Sequence, residues 1–134
     1  MQWLSFLLLA ILGSATTGWA AETLSGGTVD LSGEWEIQEE ERSYRTVLDR
    51  QGNGTYTWQN GRIVTTSFAD RKWEGTWQQT GNDREGGFEV LLSVDGMQAQ
   101  GVWWYTRVGD KNNIPPRQWG GPYVWKRIIK GPTP

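Results

Sequence analysis

Trp73-Glu74-Gly75-Thr76-Trp77-Gln78 sets two indoles and a glycine on one side of the chain and Glu74, Thr76 and Gln78 on the other. A period of two marks a strand with one buried face, because successive side chains of extended backbone point to opposite sides. Phe88, Val90, Leu92 and Val94 alternate in the same way with Glu89, Leu91, Ser93 and Asp95. A second regularity joins these strands into a series. Glycine stands two residues ahead of Trp or Tyr at Gly33, Gly54, Gly75, Gly101 and Gly121. Intervals of roughly 20 to 26 residues fit two strands and two turns, so a meander of hairpins is expected, each opening on a glycine bend followed by an inward ring.

Read outward from these segments, the pattern predicts strands over residues 33–38, 43–50, 55–59, 62–69, 73–78, 88–95, 97–108 and 122–128. Asn53-Gly54, Asn60-Gly61 and Asp95-Gly96 are tight reversals, and residues 81–87 form a longer one. The segments beyond residue 20 contain no amphipathic helical stretch. The fold class is therefore all-β, as an eight-stranded antiparallel up-and-down β-barrel, since closure removes the exposed edges that a sheet otherwise carries. A β-sandwich is the alternative, favoured if Trp35 lies far from Arg127. Eight strands enclose an interior wide enough for one small ligand.

Composition narrows the function. The apolar run over residues 3–12 and the small residues ending in Gly18-Trp19-Ala20 have the form of an export signal cleaved after Ala20. That run is too short to span a bilayer, so no stable membrane anchor is expected. The expected organisation is a signal peptide over 1–20, a flexible segment over 21–30, a barrel domain over 31–129 and a disordered tail over 130–134, in an exported protein, periplasmic or secreted. With no cysteine in the chain, the domain must be held by its core and its hydrogen-bonded sheet. Net charge is −2 with both signs interspersed, which excludes the basic stripe of a nucleic-acid partner. Glu39-Glu40-Glu41 is read as a solvated turn rather than a cation site. The absence of histidine and cysteine removes the usual general base, thiolate and soft-metal ligands. Alternation places Glu34, Glu36, Glu74 and Glu89 outside the barrel, so no enzyme, cofactor or metal is expected.

Leu31-Ser32-Gly33-Glu34-Trp35, taken with Arg127 in the last strand, resembles the signature of the calycins, the group that includes lipocalins and avidins. The resemblance implies that Trp35 packs at the closed end of the barrel beneath Arg127, as a structural closure. Residues 31–56 are similar in pattern to avidin and streptavidin, down to Gly54-Thr55-Tyr56, and Trp73-Glu74-Gly75-Thr76-Trp77 is similar to the avidin Trp-x-Gly-x-Tyr strand. By that likeness Tyr56 corresponds to a tyrosine that hydrogen-bonds the ureido group of biotin, and Trp73 to an enclosing tryptophan. Ile37 and Glu41, however, stand where avidins carry Asn and Ser. A buried ureido group deprived of those partners is poorly discriminated, which disfavours biotin.

The chain has ten tryptophans, more than packing requires. Tyr56, Trp58, Trp73, Trp77, Trp103, Tyr105 and Trp125 are the expected inward rings, which either line a ligand cavity or fill the interior. Indole N–H groups need partners, a demand that an aliphatic core would not create. Aromatic walls with few charges suit a small, flat, weakly polar molecule, and equally the face of a sugar. Trp104 must point away from Trp103. Together with Arg117 and Trp119 in the long segment 109–120, stiffened by Pro115-Pro116, it forms a candidate lid or interface toward a second copy or a protein partner. Three readings stand: a small-ligand-binding barrel, a structural or interaction protein such as a complex subunit or inhibitor with a solidly packed barrel, and a carbohydrate-binding module.

Overall fold

The computed structural model describes residues 29–129, so the expected export signal, most of the segment preceding the barrel and the expected tail lie outside the described residues. The barrel belongs to the unit that begins at Leu31. Its strands are β1 (Gly33–Gln38), β2 (Ser43–Leu48), β3 (Gly54–Tyr56), β4 (Gly61–Ala69), β5 (Lys72–Gln79), β6 (Arg84–Leu92), β7 (Gln98–Val108) and β8 (Gly120–Arg127), with a 3-10 turn at Trp58–Asn60 between β3 and β4. Each strand pairs antiparallel with the next, and β8 pairs with β1 to close the ring. This is an eight-stranded up-and-down barrel, and the β-sandwich alternative is excluded. At the closing seam Trp35 lies opposite Arg127 and Ile37 opposite Trp125.

Several boundaries differ from the sequence reading, each for a local reason. The strand expected over 55–59 ends at Tyr56, because Gln59 and Asn60 take positive φ values of 55° and 52°, which an extended strand does not allow. The strand expected over 43–50 stops at Leu48, where the Asp49 carboxylate accepts hydrogen bonds from the amides of Gln51 (2.9 Å) and Asn53 (3.0 Å). The strand expected over 88–95 runs from Arg84 to Leu92 instead. Ser93 and Asp95 turn the chain there by accepting the Met97 amide, Gly96 sits at φ 73°, and Val94 is left 88% exposed.

The glycines also act differently from the bends expected of them. Gly33 and Gly54 open strands and Gly121 lies second in β8, but Gly75 and Gly101 sit mid-strand. Their function is to leave room. Phe88 lies directly opposite Gly75, and a Cβ on Gly75 would come within 2.7 Å of its ring. Gly61 faces Tyr56 and Gly86 faces Trp77 in the same manner. An aromatic ring laid across a cross-strand glycine covers backbone that would otherwise be open to water.

The core divides along the barrel axis. In the half nearest the seam residues Trp35 and Arg127, the rings of Trp35, Trp73, Phe88 and Trp125 are each fully buried. They meet edge-on or tilted, with Trp73 5.3 Å from Trp35 and 4.8 Å from Trp125, and Phe88 5.1 Å from Trp125. Such contacts favour the ring quadrupoles and fill this half with buried aromatic side chains. The other end, toward the β1–β2, β3–β4 and β5–β6 connections, is lined by polar as well as aromatic groups.

Candidate functional site

Strand direction brings the top of the barrel together. Tyr44 near the start of β2, Gln79 at the end of β5, Arg84 at the start of β6 and the half-buried Trp103 and Tyr105 of β7 stand toward the mouth, with Trp58 at the rim and the buried Trp77 and Tyr123 below. A cavity of about 90 Å³ opens among Glu39, Arg42, Trp58, Trp77, Gln79, Arg84, Trp103, Tyr105 and Tyr123. It is far smaller than the ~300–1,000 Å³ of a drug-sized site. A wider depression of about 590 Å³ on the outer wall, along Glu34, Arg45, Val47 and Thr55, is an open groove over strand faces and gathers no buried polar cluster.

The mouth is organised by three polar groupings. Tyr44 donates its hydroxyl hydrogen to Glu39, whose other oxygen lies 3.3 Å from the guanidinium of Arg42. Arg42 in turn lies 4.3 Å over the ring of Trp58, and Trp58 stacks on Tyr44 at 5.5 Å. Gln79 donates to the hydroxyl of Tyr56 at 2.7 Å, and Tyr56 stacks on Tyr44 at 4.7 Å. Arg84 donates from Nη1 to the hydroxyl of Tyr105 at 3.0 Å. Burial pushes the phenols of Tyr44 and Tyr123 well above the usual tyrosine range. Burial also lifts Tyr56, to about 12, against the opposing hydrogen bond from Gln79. All three are neutral hydrogen-bonding groups at neutral pH.

Not every polar atom in this region is satisfied. Arg84 Nε and Trp103 Nε1 are both occluded and lack an acceptor among the described residues. Buried donors of this kind are few in folded proteins, and each calls for a physical explanation. Trp125 Nε1 shares the condition, but deep in the packed half.

The sequence-derived site residues fall into separate groups. Trp58, Trp77, Trp103 and Tyr105 line the mouth cavity, and Tyr56 lies just beneath through its contact with Gln79. Trp73 and Trp125 belong to the packed half. Trp35 is buried at the closed end: its indole donates to the Leu31 carbonyl at 3.0 Å, and the Arg127 guanidinium stands 4.4 Å over its ring. Arg127 also donates to the Gly96 carbonyl at 3.1 Å and to the Ser32 carbonyl at 2.7 Å. Trp104 lies on the outer wall across Gly87, with Arg117 4.2 Å over it, and Arg117 is paired with Glu89 at 3.0 Å. Trp119 is 45% exposed. The contacts of Arg117 thus follow the outside of β6 and β7 rather than crossing the mouth.

Glu39, Arg42, Tyr44, Gln79, Arg84 and Tyr123 were not singled out as site residues. Parity was the available signal for Arg84, which shares a face with Phe88, Val90 and Leu92 once β6 is begun at residue 84. Among the described residues no group of three His, Cys, Asp or Glu side chains could hold a metal ion. No protein-family model matches the chain, and neither a curated protein nor a solved structure matches it. The architecture itself is consistent with a calycin-like fold, a closed antiparallel barrel of eight strands with one packed end.

Proposed function

We propose that this protein is an exported, non-enzymatic calycin of the avidin-like or lipocalin-like kind that binds a small molecule at the mouth of its barrel. The observation that carries this reading is the pair of occluded, unpartnered donors, Arg84 Nε and Trp103 Nε1, on residues that wall an aromatic cavity. A barrel serving only as a scaffold gains nothing from such donors, whose burial without an acceptor costs about 1–3 kcal/mol each. The cavity's size favours a ligand of only a few heavy atoms, or one whose head group enters while the rest stays outside. Edge and face contacts with Trp58, Trp77 and Trp103 favour a flat body. Biotin remains disfavoured, because Ile37 is fully buried and apolar where a ureido partner would be required.

A second reading, an interaction protein, draws support from the packed half and from the exposed Trp119 beside Lys111. Native mass spectrometry of the protein purified gently from its host separates the two. A small adduct lost on denaturation supports the binding barrel. A stable protein partner without such an adduct refutes it in favour of the interaction protein.

A further inference from the structure

Charge is unevenly shared within the mouth. The charged side chains of the inner cavity are Glu39, Arg42 and Arg84, while Glu40 and Glu41 join Glu39, Arg42 and Trp103 around an outer cavity of about 160 Å³ that Arg84 does not line. Glu39 is paired with Arg42 and accepts a hydrogen bond from the hydroxyl of Tyr44. Arg84 has no carboxylate partner among the described residues, unlike Arg42, Arg45, Arg107 and Arg117, each of which is paired with one. Its Nη1 is engaged with Tyr105, and Nε is occluded with no acceptor. The unused edge of the guanidinium is therefore the one formed by Nε and Nη2. Two parallel N–H groups on one edge match the two oxygens of a carboxylate, the bidentate geometry that distinguishes Arg from Lys. Trp103, which also lines this cavity, carries a further unused donor, its Nε1, on the edge of the indole that lies by Gly121.

From this we infer that the mouth cavity is a carboxylate site: Arg84 grips both oxygens of a small planar carboxylate through Nε and Nη2, Trp103 Nε1 donates to the ligand, and the surrounding rings hold its apolar body. The inference rests on the reading of the mouth as a ligand site and adds the chemical class of the ligand. A guanidinium that is partly withdrawn from water, as the half-buried Arg84 is, and lacks a counter-ion attracts an anion more strongly than a fully solvated one does. The neutral tyrosines beside it add hydrogen-bonding capacity without adding opposing charge. A carboxylate meets both unsatisfied donors and the uncompensated charge at once, whereas a neutral ligand meets only the donors.

Propionate and benzoate, each against its neutral amide (propionamide and benzamide), form the test, with sulfate as a non-planar anion. The whole barrel is titrated while the Arg Nε–H and indole Nε1–H resonances are followed by NMR. We expect saturable shifts of the Arg84 and Trp103 signals with at least one carboxylate, at least tenfold weaker binding of its amide, and at least tenfold weaker binding of that carboxylate to R84Q. R45Q, on the outer wall, should bind as wild type. Equal binding of acid and amide overturns the carboxylate assignment, as does sulfate in preference to both acids, or the absence of any shift at Arg84. Because the resonances are read on the wild-type protein, the inference stays falsifiable even if R84Q fails to fold. An adduct in native mass spectrometry that proves neutral would sink the carboxylate inference while leaving the mouth as a binding site. Absence of any small adduct would instead count against the site itself.

Discussion

Replacing Arg127 with methionine removes the charged head that clamps the closed end while keeping much of the side chain's bulk. At least three interactions vanish together: a hydrogen bond to the Gly96 carbonyl at 3.1 Å, another to the Ser32 carbonyl at 2.7 Å, and the guanidinium 4.4 Å above the Trp35 ring. Hydrogen bonds from a charged donor contribute about 1.5–3 kcal/mol each, and a cation over an indole about 0.5–2 kcal/mol. Because the group is only partly buried, water can reach the freed carbonyls and recover a share, which brings the expected loss to about 3 kcal/mol. For a domain of this size that corresponds to a fall in Tm of roughly 12–24 °C. Thermal and guanidinium unfolding followed by near-UV circular dichroism measures it. R127K should lie between, since it keeps the charge and loses the fork. R45M provides the comparison: its partner Glu34 is 3.4 Å away, but the Arg45 side chain is 60% exposed, so it should cost less than about 1 kcal/mol. An R127M barrel within about 1 kcal/mol of wild type would refute the account of the closed end.

Two further outcomes follow from burial. Trp35 and Trp125 are both fully buried, yet only the Trp35 indole has an acceptor; W35F should therefore destabilise by about 1–2 kcal/mol more than W125F in chemical denaturation, and equal costs would count against the hydrogen bond's contribution. Tyr56 is lifted from 10.0 to about 12 in the folded state. The native protein thus holds a proton that the unfolded chain releases, so stability is full below pH 10 and falls by about 2–3 kcal/mol as pH rises toward 12. Tyr44 and Tyr123 act in the same direction. Tyrosinate absorbance should rise together with loss of near-UV circular dichroism, and a rise well before unfolding would show these phenols to be more accessible than the structure has them.

Most of the barrel could be read from residues whose burial alternates. Trp73 and Trp77, or Phe88, Val90 and Leu92, signal a strand because each inward position is apolar and large. The glycine spacing was a true regularity with a partly mistaken cause. Gly75 and Gly101 repeat because rings and backbone of neighbouring strands approach them closely, a cross-strand property that periodicity along one chain does not contain. Trp58 looked like a strand residue because Tyr56 and Trp58 keep the period of two, and only the positive φ of Gln59 and Asn60 ends the strand before it. The mouth was the least legible part. Its aromatic members were visible as inward rings, but Glu39, Arg42 and Arg84 sit in or beside segments that composition marks as solvated turns. What gathers them is the arrangement of connections at one end of the barrel. Whether an arginine in such a place is paired depends on which strands are neighbours across the ring, and that is known only once the ring is closed.

That closure has a kinetic side. Seven of the eight strand pairings join neighbours in sequence, and each can form as a hairpin with little chain to gather. The eighth joins β1 to β8, with Trp35 and Arg127 about 90 residues apart, and the entropy of bringing such distant ends together is on the order of 4 kcal/mol. The barrel is in this sense a sheet with one seam, and Arg127 stands on the seam, its guanidinium reaching back to Ser32 and across to Gly96. Before the seam forms, β1 and β8 each present an unpaired edge to solvent and to other chains. The residue that fastens the closed end therefore also stabilises the pairing that hides those edges, and so opposes the joining of opened barrels to one another.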